Sequence, residues 1–272
     1  MPLSINTNLF ALNAQRNLNK TQAPLTTAMQ RLSSTLRINS AKDDAAGLAI
    51  ATRMTTQIIG LQQAVRNTND GISVIQTAEG AIDEINYALQ RMRELAVQSA
   101  HGIYTDDDRE SMNAEFQALI DEIDRIADQT KFNDTVLLDG TFNVNLQVGY
   151  ESGNTITLEI ANFTATGLGV DELDISDTTG ANAALDALLI ARDTVASERG
   201  NLGALLNRLE STVRNLENIV ENLSASRSRI MDADFAVETA NFTKALIMQQ
   251  AGISVLAQAN TLPQNVLALL QR

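Results

Sequence analysis

The chain has 272 residues, a formal net charge of −13, 4% aromatic residues, and neither tryptophan nor cysteine. The acidic balance excludes a nucleic-acid backbone as partner, since that is held by clustered Lys and Arg, and it disfavours an anionic membrane surface. The lack of cysteine excludes disulfides, thiol nucleophiles and thiolate metal sites.

The charge is unevenly placed. Residues 1–45 hold five basic and two acidic side chains and residues 228–272 hold three of each, so residues 46–227 carry −16. Near-neutral ends can crowd together while an acidic middle stays solvated, which is the layout of a polymer subunit. No proline occurs between Pro24 and Pro263, which permits helices far longer than three turns. The opening MPLSINTN lacks the basic and apolar stretches of a secretory signal peptide,. Nowhere do 18 apolar residues run together, so no transmembrane helix is expected,.

Ile5, Leu9 and Leu12 open a first amphipathic segment, and Leu18, Leu25, Met29, Leu32 and Leu36 continue in a second register. From Ile58 a seam steps by threes and fours through Leu61, Val65, Thr68, Ile72, Ile75, Ala78, Ile82, Ile85, Leu89, Met92 and Ala96. That spacing predicts a coiled-coil stripe. Gly60, Gly71 and Gly80 lie inside it, each costing about 1 kcal/mol of helix propensity. They fit either close backbone approach between helices or mere tolerance.

Ser99 to Asp108 breaks the pattern, and Met112, Phe116, Leu119, Ile123 and Ile126 begin another helix. Asp106 to Asp108 stand at its start, where carboxylates cap free N–H groups and favour the dipole. A calcium loop would need alternating ligands and a glycine that are missing.

From Thr141 the period switches to two. Phe142, Val144, Leu146, Val148 and Tyr150, a turn at 151–154, and then Ile156, Leu158 and Ile160 predict a β-hairpin,. Residues 162–181 read as loop with room for another short strand. Leu188, Arg192, Val195, Arg199, Leu202, Leu206, Leu209, Val213, Leu216, Val220 and Leu223 then form the most regular seam. Arg192 and Arg199 are expected to lie along it with their heads in water or paired to acids. A final segment carries Phe235, Phe242, Leu246, Ile253, Leu256 and Ala259, and Pro263 precedes the apolar tail Val266, Leu267, Leu269 and Leu270. The expected fold is mainly α, a long antiparallel coiled-coil-like helix bundle with a small β-hairpin region near the middle of the chain.

Catalysis has little material. His101 is the single histidine, so no two-histidine metal site and no histidine-assisted thiol can be built. Carboxylate pairs such as Asp83/Glu84 and Asp121/Glu122 are neighbours in sequence and point apart on a helix,. No glycine-rich phosphate loop follows a strand. The chain is read as a non-enzyme without cofactor or metal.

Several motifs carry a resemblance. The run RLSSTLRINSAKDDAAGLAIATRM at 31–54, NDGIS at 69–73, QTAEG at 76–80 and LQRMRELAVQ at 89–98 resemble the N-terminal signature of bacterial flagellins. NRLE at 207–210, ENL at 221–223, SRIMDADFA at 228–236, QAG at 250–252 and LAQAN at 256–260 resemble the C-terminal signature. Together they cover about 1–140 and 182–272. Thr35 departs from the glycine usual in the first motif.

The resemblance implies a structural subunit of the flagellar filament, exported unfolded, polymerising into a helical tube for swimming motility, and lying outside the cell. It implies a terminal, tube-lining domain at 1–44 and 228–272 and a rod at 45–227, with the hairpin at about 141–180. The chain has no room for the outer domains of larger members. Implied partners are other copies of itself, the flagellar export apparatus, a flagellin chaperone, the filament cap and hook-associated proteins. Ile5, Leu9, Leu12, Leu32, Leu36, Leu246, Ile253, Leu256, Leu267, Leu269 and Leu270 are the expected assembly residues. Flagellins are also ligands of Toll-like receptor 5, and the family's receptor-facing positions correspond to Arg91, Leu95 and Glu115. The tail at 266–270 resembles the segment sensed by cytosolic inflammasome receptors. Two rival readings are a hook–filament junction protein and an intracellular coiled-coil signalling hairpin. The latter has no use for a β-hairpin at its midpoint.

Overall fold

The computed structural model describes residues 7–270, with side-chain surroundings through Thr261. Among the described residues, six helices and four short strands follow in the order α1 (Leu9–Ser34), α2 (Ala45–Ser99), α3 (Asp106–Gln129), β1 (Lys131–Phe132), β2 (Thr135–Val136), β3 (Asn143–Gln147), β4 (Thr155–Glu159), α4 (Ala165–Leu168), α5 (Thr178–Met231) and α6 (Phe235–Leu270). The mainly α architecture with its central hairpin agrees with the sequence. From Leu9 to Leu32 the two amphipathic registers are one helix, which runs through Pro24. Two compact units form. One comprises the residues up to Thr56 and those from Asn222 onward, and the other comprises Gln57–Glu221. No helix among the described residues is long and apolar enough to cross a membrane.

In the central unit α2, α3 and α5 pack around one apolar core. The α2 seam is buried at Ile58, Leu61, Ile75, Ala78, Ile82, Ile85, Leu89, Met92 and Ala96. On α5 the seam is buried at Leu188, Val195, Leu202, Leu209 and Leu216, one every seven residues, with Ala181, Ala184 and Ala191 buried beside it and Leu206 and Val213 half-buried. Arg199 turns out of the seam to pair with Asp83 at 2.6 Å and Glu79 at 3.6 Å on α2. Arg192 is half-buried, and its Nε has no hydrogen-bond partner.

The expected hairpin is β3–β4, antiparallel, with Val144 opposite Leu158 and Leu146 opposite Ile156. Ile156, Leu158 and Ile160 face the core. It lies on α2 where side chains are missing: a Cβ on Gly60 would stand 2.7 Å from Tyr150 Cβ, and one on Gly71 would collide with Leu146 Cδ1. Close approach is therefore the reason for both glycines, but to the hairpin and not to another helix. Gly80 has open space around it.

A second, unforeseen hairpin joins β1 to β2 through Asn133 and Asp134, both at positive φ (48° and 63°), the two-residue turn that matches strand twist,. Residues 162–177 contribute no named strand among the described residues. They make a single isolated bridge from Asn162 to Asp139 and the one-turn α4, capped by the Thr164 side chain. This segment is tied to α3 by hydrogen bonds: Gln117 Nε2 donates to the Leu173 carbonyl at 2.7 Å and the Ala165 amide donates to Asp124 Oδ1 at 2.7 Å. Phe163, Val170 and Ile175 close the core beneath it.

Candidate functional site

In the terminal unit α1 and α6 run antiparallel. Asn8 Nδ2, at the start of α1, donates to the Ala259 carbonyl at 2.7 Å, and Arg31, near its end, pairs with Glu238 at 2.8 Å. The buried positions of the contact recur at heptad spacing. Ala14, Thr21 and Ala28 are buried on α1, and Glu238, Ala245 and Ala259 on α6. Gly252 completes the α6 stripe, with Leu18 Cδ1 only 3.1 Å from where a Cβ would be. Small side chains let the two backbones approach closely. Where they leave space, a groove of about 720 Å³ opens, lined by Lys20, Pro24, Arg31, Lys244 and Met248 among others.

Leu18, Leu25 and Leu32 on α1 and Phe242 and Leu256 on α6 are half-buried between the buried heptad positions, and other large apolar residues point away. Leu9 (59% exposed), Phe10, Leu12, Met29, Leu246, Ile247, Met248, Ile253 (53%) and Val255 all face outward. Among the expected assembly residues, Leu9, Leu12, Leu246 and Ile253 are thus exposed, while Leu32, Leu36 and Leu256 are half-buried. Ile5 lies outside the described residues, as do the side chains of Leu267, Leu269 and Leu270. The seam that closes α1 on α6 alternates buried Ala14, Thr21 and Ala28 with half-buried Leu18, Leu25 and Leu32, and buried Ala245 and Ala259 with half-buried Phe242, Gly252 and Leu256. Extended apolar surface left outside a folded unit marks a contact with another molecule.

The two ends are also joined where their helices pause. Leu36 bridges Asp232, the Arg37 amide donates to the Met231 carbonyl at 2.6 Å, and the Ala233 amide donates to the Thr35 carbonyl at 3.0 Å. Thr35 caps α1 with φ 59° and ψ 11°. That left-handed conformation is why glycine is usual here, and a β-branched residue adopts it only under strain.

Arg91 and Glu115 face each other across α2 and α3, with Arg91 Nε 2.9 Å from Glu115 Oε1 and Nη1 2.9 Å from Glu94. The hydrogen bond to Glu115, then that to Glu94, holds the guanidinium pKa above its ordinary value. Leu95 is 2% exposed and belongs to the core. The start of α3 is a capping box. The Thr105 hydroxyl accepts from the Asp108 amide, and the Asp108 carboxylate accepts from the Thr105 amide at 3.0 Å. These bonds, the hydroxyl of Thr105 first, pull the Asp108 pKa down. Sequence reasoning missed Arg109. It is 6% exposed and donates to the carbonyls of Ser99 at 2.9 Å, Tyr104 at 2.8 Å and His101 at 3.1 Å. It thereby closes the end of α2, where carbonyls lack helical partners and a cation is favoured. Its place one turn into α3, after a loop that must fold back, was the available signal.

Comparison with known proteins agrees with this architecture. The chain matches the model of the bacterial flagellin N-terminal helical region over residues 5–143 and that of the C-terminal helical region over residues 185–270. It is 50% identical over 270 residues to a flagellin of Halalkalibacterium halodurans, covering 98% of this chain and 99% of that one. It is 42% identical over 304 residues to a flagellin of Bacillus subtilis, covering 99% and 100%. The crystal structure of Bacillus cereus flagellin superposes with a TM-score of 0.51 at 34% identity, over 56% of this chain and 88% of that one. A putative flagellar hook-associated protein from Vibrio parahaemolyticus superposes with a TM-score of 0.59 but 16% identity, over 70% and 100%, and shares the fold alone. Only residues 130–177 separate α3 from α5, and they are filled by the two hairpins and α4, so no outer domain interrupts the chain. The family is one of structural filament proteins, not of enzymes. The chain belongs to the bacterial flagellin family, as a short form and a structural subunit of the flagellar filament.

Proposed function

We propose that the outward apolar surface of α1 and α6 is the contact through which copies of this chain assemble, with Ile5, Leu9, Leu12, Leu32, Leu36, Leu246, Ile253, Leu256, Leu267, Leu269 and Leu270 as its residues. One observation carries the reading: large apolar side chains such as Leu9, Leu12, Leu246 and Ile253 stay exposed on α1 and α6 although the two helices already pack on each other. Energetics supports it. A buried methyl group contributes about 0.8 kcal/mol, whereas ordering each residue costs about 1–2 kcal/mol. A single two-helix seam of small residues and half-buried leucines cannot hold α1 and α6 together alone. About the first 40 and last 40 residues are therefore disordered in the free subunit and fold on assembly. Head-to-tail contacts that do not close generate an open helical filament. Residues 1–44 and 228–272 line the tube and residues 45–227 form the rod outside it.

Amide exchange tests this reading. The free monomer should exchange fast at Leu9 and Leu256, and filaments should protect both; strong protection in the monomer refutes the coupling. Deleting residues 261–272 should abolish filament growth while the central unit stays folded.

The same reading extends to partners. Disordered ends suit a narrow export channel and a flagellin chaperone that covers the apolar surface until the subunit reaches the filament cap. The product is an extracellular filament that drives swimming. Toll-like receptor 5 contacts the α2–α3 face at Arg91 and Glu115, with Leu95 packed beneath them. Monomer should activate the receptor and filament should not, and Arg91→Ala with Glu115→Ala should abolish activation by monomer. Equal activation by filament and monomer would refute this assignment.

A further inference from the structure

Seven methionines supply all the sulfur in this chain, which has no cysteine. Their placement is uneven. Met92 is fully buried and Met112 is 9% exposed in the core of the central unit, whereas Met29 is 63% exposed on α1 and Met248 is 47% exposed on α6. Met54 and Met231 are half-buried, and Met1 lies outside the described residues. Met248 also lines the groove between α1 and α6. Both exposed thioethers therefore sit among the outward apolar residues of the terminal unit, and the buried ones sit where loss of packing would unfold the rod.

We infer that Met29 and Met248 form a peroxide-responsive modification site that turns subunit addition off without unfolding the central unit. The inference rests on the assembly surface proposed above. The sulfur lone pair attacks one peroxide oxygen, the O–O bond breaks, sulfur gains the oxygen and loses two electrons, and peroxide is reduced to water. The sulfoxide replaces a flexible apolar group with a polar one. At a contact that must lose water, an unpartnered sulfoxide oxygen weakens association by about tenfold per site. A methionine sulfoxide reductase with a thiol reductant returns the thioether, so the modification is reversible.

The experiment treats full-length monomer with hydrogen peroxide, maps the sulfoxides by peptide mass spectrometry, and measures growth on filament seeds relative to each protein's own untreated rate. Met29 and Met248 should oxidise well before Met92 and Met112. Wild-type growth should fall about tenfold or more, and reductase with dithiothreitol should restore it. The variant carrying Met29→Leu and Met248→Leu should keep its untreated rate. Oxidation of Met92 at the same pace as Met29 overturns the site assignment, whatever growth is observed. Equal loss in the double variant, or undiminished growth of oxidised wild type, overturns the switch. Failure of untreated wild type to grow, or equally fast oxidation of Met29 and Met248 in finished filaments, would count instead against the assembly surface.

Discussion

Gly60→Ala and Gly80→Ala make the same chemical change in the same helix and should move stability in opposite directions. Alanine in a helix interior is favoured over glycine by about 1 kcal/mol. Nothing stands within 4 Å of the Cβ that Gly80→Ala adds, so the full gain is expected. For a unit of this size that raises the melting temperature by about 2–4 °C. At Gly60 the new Cβ would sit 2.7 Å from Tyr150 Cβ and 3.4 Å from Tyr150 Cα. Neither atom can swing aside as a side-chain tip can, so the hairpin itself must lift. Overpacking of this kind costs about 1–3 kcal/mol, which outweighs the propensity gain and leaves a net loss of about 1 kcal/mol. Gly71→Ala meets only the end of Leu146 and should fall between the two. Thermal unfolding of the full-length monomer, followed by far-ultraviolet circular dichroism, would separate Gly80→Ala from Gly60→Ala by about 4–8 °C. Equal shifts in one direction would refute the claim that the hairpin seats on a side-chain-free patch of α2.

Arg109→Ala removes a donor from the carbonyls of Ser99, Tyr104 and His101, of which His101 keeps the Tyr104 amide at 3.5 Å, and should cost about 3 kcal/mol in chemical denaturation,. Arg109→Lys should not rescue it, because an ammonium cannot serve three diverging acceptors as a fork does. Thr35→Gly should relieve about 1–2 kcal/mol of left-handed strain and raise the temperature at which filaments dissociate; a lower temperature would contradict the backbone assignment. The Asp108 carboxyl has a folded pKa below its ordinary 3.8. The stability it contributes is therefore present above that value and lost as pH falls through the folded pKa. Protection of the 105–110 amides relative to their intrinsic exchange should fall below about pH 4, and Asp108→Asn should flatten that dependence.

Much of the fold was legible in the residues. The α2 and α5 seams announce themselves because Ile, Leu and Val recur at helical spacing with acidic residues between them. The β3–β4 hairpin does so because the period changes to two at Thr141. Other features had weaker signals. The Asn133–Asp134 turn joins strands of two residues each, too short to show any alternation. Arg109 looked like one more charge on a solvated helix, since nothing local shows that the chain before it folds back to offer three carbonyls.

Which residues of the two ends are apolar, and that they recur as helical stripes, was determined by the sequence alone. Which stripe meets which was decided only by tertiary structure. A sequence pattern weights Leu and Ile because their burial releases the most free energy, yet closest approach of two helices selects residues with the least volume. The ends accordingly meet through Ala14, Thr21, Ala28, Ala245, Gly252 and Ala259, pinned by Arg31 and Glu238. Leu18, Leu25, Leu32 and Leu256 are half-buried beside that seam, and Leu9, Leu12, Leu246 and Ile253 are left outside, because two thin helices have only one shared face.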